Sequence, residues 1–429
     1  MSDQKVKTVK SGVLKSALAM KGLMDDYYLE ASRARADKIP LAWTTSLFPV
    51  ELLYAMGVFP YYPENYGAKC GAKKLAQPFF RESLRSGYSQ DLCSYMRITA
   101  GATSGNWPLD EEPFELSSDH KSPPRGRIES LPIPDLMITS SNQCDTLNKL
   151  FESKAREWDI PFFVLDCPFY DGGMEEWQIR YFLEELYELV SFIEFHTGNR
   201  FSQEKLAEVL DLSNQACTLW NDVLRMGAHK PAVFTVWDAN VFMNPMVNLR
   251  GTQMAVEFYG KLKTELVERK DKGVYPVPDE EYRLLWNGIP LWHRLRFFSE
   301  YFAKNRASVV ISPYVLAWAY TFDVSRPMES LAESYSGILI NRNIDERLND
   351  LIGLIAEYGV DGFIFYSNRS CKADSFGFYE LKKMINEKTG LPGVIFEGDI
   401  CDDNFFSEEA FLEQMDVFMG MVGRSKSNA

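Results

Sequence analysis

The order of apolar and polar residues predicts strands and helices that alternate near both ends of the chain. Short apolar runs bounded by turn residues are typical of buried strands, whereas apolar residues three or four positions apart indicate amphipathic helices. Strands are predicted at 39–48, 58–62, 135–140, 161–166, 307–312, 361–366 and 393–396. Helices are predicted at 11–36, 51–56, 79–100, 145–158, 345–357 and 379–388, with a last one starting at Ser407. This alternation favours parallel sheets with crossover helices.

The middle of the chain, 175–305, is predicted to be mostly helical, because long amphipathic stretches follow one another there. We therefore expect an α/β protein with two related Rossmann-like or flavodoxin-like parallel-sheet domains and a helical region. The N-terminal α/β domain with a leading helix would span 1–174, and the C-terminal α/β domain 306–429. The polar, proline-rich segment 103–134 is expected to form an ordered surface loop or flap.

An internal repeat supports the two-domain interpretation. Segments 134–144 and 360–371 each contain an Asp, an apolar run, a Ser-Asn pair and then a cysteine. Each is followed by a predicted helix, a turn with proline and a second apolar run that ends in an acid. Ligands of open parallel sheets bind beyond the carboxyl ends of the strands. The repeat therefore predicts that Cys144 and Cys371 occupy matching places that could face one cleft.

The cysteines leave two interpretations open. A single cysteine after a strand is more often a small buried apolar residue than a ligand. Because two cysteines occupy matching positions here, a functional role and a structural role are equally favoured. The seven cysteines lack the compact spacing of a zinc site or a ferredoxin motif. If they bind a metal, the fold must bring distant segments together.

Composition excludes several classes of function. The 429 residues include 46 Lys and Arg against 60 Asp and Glu, a net charge of −14, so the chain has no overall attraction to nucleic acid or to anionic membranes. No apolar run reaches the ~18 residues of a membrane span. Lysines are spread through the first 21 residues, unlike a secretory signal. We therefore expect a cytoplasmic protein with reduced cysteines.

Several short motifs give the chain a family resemblance. The motifs are WTTSLFPVE (43–51), YPE (62–64), LCSYMR (92–97), SNQCDTL (141–147), YRLLWNGIPLW (282–292), SNRSCK (367–372) and EGD (397–399). In combination they resemble the 2-hydroxyacyl-CoA dehydratase and benzoyl-CoA reductase family, from about residue 20 to about residue 420. Within that family the chain looks most similar to the larger (alpha) subunits of lactoyl-CoA-type dehydratases.

The resemblance implies one [4Fe-4S] cluster held by three cysteines, with one iron left open. The matching cysteine motifs are those of Cys93, Cys144 and Cys371. The other four cysteines lie outside these motifs and are expected to be structural: Cys70, Cys167, Cys217 and Cys401. Among these four, Cys167 and Cys401 each follow a predicted strand end, so we expect them to lie nearest the cleft.

Three further residues are candidates for catalysis. Ser46 and Glu64 lie in matching motifs, and a hydroxyl with a carboxylate could orient and protonate a leaving hydroxide or take a proton. Glu51 is a third candidate, although an acid in the first turn of a helix is also favoured by the helix dipole. The histidines are expected to be structural: His120, His196, His229 and His293. Trp286 and Trp292 are expected in the core or at a subunit contact, or along an acyl-CoA channel.

The family resemblance also implies a mechanism and partners. The substrate would be a 2-hydroxyacyl-CoA, and water would be eliminated through a ketyl radical to give the 2-enoyl-CoA. An open iron can act as a Lewis acid and transfer single electrons. The chain contains no GxxxxGK[ST] phosphate loop. A separate ATP-dependent iron–sulfur activator protein and a related smaller beta subunit are therefore the expected partners.

Two alternatives remain open. The first is a subunit of a benzoyl-CoA-type reductase, which shares the scaffold but consumes electrons with every product. The second is a non-catalytic or double-cubane iron–sulfur protein for electron transfer, since seven cysteines would allow six ligands. About four irons per chain would favour an enzyme of the first two kinds, and about eight the third.

Overall fold

The computed structural model describes residues 14–105, 107–109, 113–117 and 125–427. The strands of the first half are β1 (Leu41–Trp43), β2 (Phe59–Tyr61), β3 (Phe114–Ser117), β4 (Arg125–Ile128), β5 (Leu136–Ser140) and β6 (Phe162–Leu165). Its helices are α1 (Ser16–Arg33), α2 (Val50–Ala55), α3 (Pro63–Ala72), α4 (Gln77–Arg85), α5 (Ser94–Ser104) and α6 (Asp145–Trp158).

Five helices follow before the next strand. They are α7 (Glu176–Thr197), α8 (Gln203–Arg225), α9 (Val236–Phe242), α10 (Asn244–Leu249) and α11 (Gln253–Asp271). The local sequence explains the first two. A capping box at Glu175 starts α7, and Gly198, with a φ of 76°, ends it. The hydroxyl of Ser202 accepts a hydrogen bond from the N–H of Lys205 and caps α8.

The second half repeats the alternation of strand and helix. Its strands are β7 (Tyr282–Asn287), β8 (Ala307–Ile311), β9 (Gly362–Asn368) and β10 (Gly393–Gly398). Its helices are α12 (Leu295–Lys304), α13 (Pro313–Leu316), α14 (Pro327–Ser336), α15 (Ile344–Tyr358), α16 (Lys372–Ser375), α17 (Phe378–Thr389) and α18 (Glu408–Ser427). Short 3₁₀ turns lie at Met226–Ala228, Trp292–Arg294, Leu339–Asn341 and Asp403–Phe405.

Two four-stranded parallel sheets share one topology. The first has the order β2-β1-β5-β6 and the second the order β8-β7-β9-β10, so each runs 2-1-3-4 in its own strand numbering. Strands β5 and β6 pair in parallel, as do β9 and β10. The predicted α/β class and the two parallel βαβ units are confirmed. The repeat is wider than the sequence indicated, because it includes the first two strands of each sheet.

Strand β7 corrects the predicted division of the chain. It lies inside 175–305, which we expected to be mostly helical, yet it pairs with both β8 and β9 in the second sheet. The boundary placed between residues 305 and 306 therefore falls between two neighbouring strands. Its sequence hides it, because Arg283 and Asn287 are polar and leave an apolar run of only three residues, although all five residues from Arg283 onward are buried.

Two other expected segments differ in detail. The sequence puts Cys93 near the middle of the predicted helix 79–100 or at a break in it, and the structure has the break, with Cys93 between α4 and α5. The segment 103–134 contains an antiparallel pair, β3 with β4. His120 lies outside the described residues. A single buried apolar core runs through both sheets and the helices around them. Among the residues that the structure describes, no helix combines the length and apolar character needed to cross a membrane.

Candidate functional site

A cavity of about 390 Å³ lies where the carboxyl ends of strands from both sheets converge. Five of its lining residues follow a strand within three or four positions: Ser46 after β1, Glu64 after β2, Cys144 after β5, Ile289 after β7 and Tyr314 after β8. Cys371 follows β9 in the same way. The strand order reverses between β1 and β5 and between β7 and β9, and such switch points are where open α/β sheets bind ligands.

Three thiols from distant segments meet in this cavity. Cys93, Cys144 and Cys371 all line it, and each immediately precedes a helix: α5, α6 and α16. Burial, with a smaller contribution from Cys144, raises the pKa of the Cys93 thiol to about 12. Burial also raises the pKa of Cys371, and Cys93 and Cys144 both add to that increase. The three sulfurs are therefore within electrostatic range of one another.

Backbone N–H groups lower the pKa values of the same three thiols. Hydrogen bonds from the first turn of the following helix oppose the increase in pKa at each thiol. The donors are Tyr95 and Met96 for Cys93, Thr146 and Leu147 for Cys144, and Asp374 for Cys371. Such donors stabilise a thiolate more than a thiol. The surroundings therefore suit sulfurs that carry negative charge in the functional state.

The other four cysteines do not line the cavity. All four are buried. Cys217 packs against Met246 and the carbonyl of Trp318. Cys401 follows Ile400, which does line the cavity, and its thiol lies 3.4 Å from the carbonyl oxygen of Gly67. Of the two that we expected nearest the cleft, Cys401 is thus one residue from the cavity wall.

Ser46 and Glu64 lie together on the cavity wall. The Glu64 carboxylate accepts a hydrogen bond of 2.7 Å from the N–H of Ser46 and one of 3.2 Å from the Gln143 amide. The Gln143 oxygen accepts in turn from the N–H of Leu47 at 3.2 Å. The Trp318 indole donates to the carbonyl of Ser46 at 2.7 Å. Gln143, which directly precedes Cys144, therefore joins the Cys144 loop to the Ser46 loop and to Glu64.

Burial sets the proton affinity of Glu64. It raises the pKa of this carboxyl group to about 7, and the hydrogen bonds from Ser46 and Gln143 only partly oppose that effect. No cation is among the groups that shift it. Glu64 in turn raises the pKa values of Cys144 and Tyr314, which face the same space. A carboxyl group with a pKa near neutrality can both give and take a proton in the cavity.

Glu51 lies elsewhere. It does not line the cavity, and its side chain is fully buried beside that of Arg250, with 3.3 Å between Oε1 and Nε. The hydroxyl groups of Tyr335 and Ser213 donate to its two oxygens at 2.6 and 2.8 Å. Arg250 also donates to the carbonyl of Phe48 at 2.6 Å. The structure therefore makes Glu51 part of a buried ion pair rather than a group of the cavity.

Sequence reasoning missed Tyr314 and the roles of Gln143 and Trp318. A signal for Tyr314 exists in the repeat. After β2 the chain reads Tyr62-Pro63-Glu64, and after β8 it reads Ser312-Pro313-Tyr314. In both places the proline opens a helix and the next residue lines the cavity. Burial raises the pKa of Tyr314 well above its ordinary value, with contributions from Glu64 and Asp374. Its phenol is therefore a proton-bearing donor.

Trp286 and Trp292 lie in different environments. Trp286 is fully buried among the rings of Trp237, Phe298 and Phe396. Trp292 lines the cavity, and its indole donates to the hydroxyl of Tyr95. None of the described histidines lines the cavity.

One end of the cavity lies between α1 and α3 and carries positive charge. Its charged lining residues are Lys21, Lys69 and Lys73 with one acid, Asp25, which pairs with Lys21 at 2.9 Å. Lys69 pairs with Glu129 at 2.6 Å, and the Lys73 ammonium donates to the carbonyl of Arg127 at 2.6 Å. The charged groups close to the thiols are acids, Glu64 and Asp374. Apolar side chains dominate the wall between these ends, including Met20, Met24 and Met243.

Comparison with known proteins gives matches along most of the chain. The family model described as 2-hydroxyglutaryl-CoA dehydratase, D-component, matches residues 45–422. The alpha subunit of lactoyl-CoA dehydratase from Anaerotignum propionicum is 30% identical over 400 residues, covering 92% of this chain and 93% of that protein. The (R)-2-hydroxyisocaproyl-CoA dehydratase alpha subunit of Clostridioides difficile is 29% identical, covering 91% of each. One of the subunits of benzoyl-CoA reductase from Thauera aromatica is 27% identical, covering 88% of each.

Proposed function

Since the chain belongs to the family of the 2-hydroxyglutaryl-CoA dehydratase D-component, we propose that it is a subunit of a 2-hydroxyacyl-CoA dehydratase, a hydro-lyase that forms the 2-enoyl-CoA. The observation that carries the proposal is that three thiols, those of Cys93, Cys144 and Cys371, line one cavity with the Ser46–Glu64 pair. The dehydratase alpha subunits among its relatives match this chain over almost their whole length.

The three thiols fit a [4Fe-4S] cluster with one open iron. In such a cluster each thiolate binds a different iron, so its ligands stand further apart than those of a single ion. Within the described ranges, no group of three His, Cys, Asp or Glu side chains is placed to hold one metal ion. Three sulfurs on one cavity wall, each with backbone N–H groups nearby, suit the larger group. When bound, the cluster would supply a Lewis-acidic iron and the single electron that forms a ketyl radical from the thioester.

The residues of the chain itself would handle the proton of the leaving group. The 2-hydroxyl must depart as water, so a donor has to lie within hydrogen-bond reach of it. Glu64, with its pKa near 7, would donate that proton, and Ser46 would orient the hydroxyl. Tyr314 would add a second hydrogen bond from the wall that the other sheet contributes. The apolar wall would exclude competing water.

The expected partners follow from the same proposal. The substrate would be a 2-hydroxyacyl-CoA, entering at the lysine-bearing end of the cavity. The enzyme would need a related smaller beta subunit and a separate ATP-dependent iron–sulfur activator protein. The names of the relatives support a multi-subunit enzyme, since two of them are alpha subunits.

Removal of one thiol tests the cluster and the activity together. Cys144→Ala should lose most of its iron and sulfide after anaerobic purification, bleach the broad iron–sulfur absorbance and abolish turnover. Cys217→Ala is the matched control, because this buried thiol does not line the cavity, and it should keep about four irons per chain. Full iron content in Cys144→Ala would contradict the ligand set.

A benzoyl-CoA-type reductase is the second candidate, favoured by the 27% identity to a polypeptide of that enzyme. Electron counting separates the two. A dehydratase recovers its electron and should complete many turnovers after one reduction, whereas a reductase consumes two electrons for each product. A yield that stays proportional to the electrons supplied would therefore favour the reductase.

A further inference from the structure

One buried carboxylate lies between two of the cysteine loops. Asp399 follows β10, and its side chain is almost fully buried. It accepts hydrogen bonds from the hydroxyl of Ser94 and from that of Ser370, the latter at 2.6 Å. The N–H groups of Cys401 and Asp402 also donate to it, each at 3.0 Å. Four donors therefore converge on this single carboxylate.

The two serines are chain neighbours of cavity thiols. Ser94 directly follows Cys93 at the start of α5, and Ser370 directly precedes Cys371. These loops come from opposite halves of the chain, and the carboxylate of Asp399 joins them through one oxygen each. The Cys144 loop is held differently, through Gln143 and Glu64.

We propose that Asp399 is a positioning residue that ties the Cys93 and Cys371 loops together and so presets their two thiols for the cluster. The inference rests on the proposed function, because it concerns the ligands of the proposed cluster. Groups that orient metal ligands through hydrogen bonds typically change metal affinity by about 10–100-fold when they are removed. Asp399 acts on the two thiols through the serines beside them, to which its carboxylate is hydrogen-bonded.

A carboxylate is required by the number of donors. Its two oxygens can accept all four hydrogen bonds, whereas an amide would present one oxygen and turn an N–H₂ group toward the remaining donors. No cation competes for the carboxylate oxygens among the described contacts, since the nearby Arg97 pairs with Asp402 at 3.2 Å. The ring of His293 contacts the backbone carbonyl of Asp399 instead. In Asp399→Asn the Ser370 hydroxyl would lose its charged acceptor and would have to turn to accept from the amide, so the link should weaken without a change in the size of the side chain.

Hydrogen exchange on the full-length, cluster-free chain tests the link directly. In Asp399→Asn, peptides covering 92–97 and 369–373 should both exchange faster than in the wild type. A peptide covering 142–147 should be unchanged, because the Cys144 loop has other partners. Glu397→Gln is the matched control, an exposed acid two residues earlier, and should match the wild type throughout.

Iron release provides a second readout. The reconstituted Asp399→Asn protein should lose iron to a chelator about 10–100-fold faster than the wild type, with an altered electron paramagnetic resonance signal. If Asp399→Asn does not fold, the double variant Ser94→Ala/Ser370→Ala removes the same links and keeps the carboxylate. It should show the same two effects.

The results separate this inference from the proposed function. Unchanged exchange in the two loops, or unchanged iron release from a loaded variant, would overturn the role of Asp399. A wild-type chain that binds no iron would instead overturn the proposed cluster, and exchange would still decide whether Asp399 couples the loops.

Discussion

Two glutamates of this protein have different roles, and the side chains that contact each one determine its role. Glu51 and Glu64 are both buried acids near the start of a short helix. Glu51 has the Arg250 guanidinium beside it, so its charge is neutralised within the protein. Glu64 has neutral donors only among its hydrogen bonds, so burial brings its pKa to about 7. The first arrangement suits structure and the second suits proton transfer.

Glu64→Gln should slow turnover by about 10²–10⁴-fold, the usual contribution of a general acid. Iron content and binding of the acyl-CoA should be retained, because glutamine can still accept from the N–H of Ser46. Ser46→Ala should slow the reaction less, since water can replace one hydroxyl. Steady-state kinetics on protein with verified iron content provide the measurement. If Glu64→Gln turned over at the wild-type rate, the carboxylate of Glu64 would have a structural role only.

The pH dependence of the turnover rate should reflect the ionisation of Glu64. If Glu64 donates the proton, the rate should fall as pH rises through about 7, and Glu64→Gln should lack that decrease. The titratable groups that face Glu64 are the Cys144 thiol and the Tyr314 phenol, and the pKa values of both lie above that of Glu64. Because the folded state holds this proton more tightly than the unfolded state, the free energy of unfolding should decrease between pH 4.5 and about 7. The total decrease in the free energy of unfolding is about 3 kcal/mol, and the Glu64→Gln protein should lack this decrease.

Glu51→Gln should destabilise the protein by about 3–5 kcal/mol, because it leaves the Arg250 charge buried without a counter-ion. Urea unfolding measures this as a lower midpoint at unchanged slope. Glu300→Gln is the control, since Glu300 pairs with Arg296 on the surface, and it should unfold near the wild-type midpoint. A stable, inactive Glu51→Gln protein would make Glu51 a catalytic candidate again.

At the scale of elements, the site depends on where strands end and where helices begin. Every cavity group that we assign to proton transfer or to cluster binding follows a strand or precedes a helix. The packing of α5 is especially tight, because a Cβ at Gly101 would lie 1.9 Å from the carbonyl oxygen of Phe79 in α4. The position of α5, and so that of Cys93, therefore depends on this glycine.

Gly101→Ala should destabilise the protein by about 1–3 kcal/mol or more, since the clash involves backbone that cannot rotate away. It should also lower iron retention by displacing Cys93. Gly22→Ala in α1 is the matched control, because no atom lies within 4 Å of its Cβ position. That change should stabilise the protein by about 0.5–1 kcal/mol. Urea unfolding and iron analysis check both, and equal effects of the two changes would contradict the packing argument.

At the scale of the whole molecule, two halves of the same strand order complete one cavity. Neither half supplies all three thiols: Cys93 and Cys144 come from the first and Cys371 from the second. The chain carries a net charge of −14, yet a CoA thioester is itself an anion. The lysines at the end formed by α1 and α3 would therefore provide the local attraction that the molecule as a whole lacks.

Lys73→Gln should raise KM for the acyl-CoA severalfold, leave kcat near the wild-type value and weaken the salt dependence of kcat/KM. Lys73 is exposed at that end of the cavity. Lys383→Gln, at an exposed lysine on α17, is the control and should change none of the three. An unchanged KM in Lys73→Gln would place the entry of the substrate elsewhere.

The sequence by itself determined the parallel α/β architecture, the repeat and the strand-end positions of Cys144 and Cys371. These features are local, because an apolar run, the turn after it and the following helix all lie within one βαβ unit. It did not determine strand β7, because Arg283 and Asn287 flank its three apolar residues and leave a run too short to predict a strand.

Only the tertiary structure decided which side chains share the cavity. The Arg250 that neutralises Glu51, the Gln143 that holds Glu64 and the two serines on Asp399 all come from segments far away in the chain. The meeting of Cys93 with the other two thiols is of the same kind. Burial and partners set the charge state of an acid, and both arise from packing between distant segments. No spacing along the sequence distinguishes Glu51 from Glu64.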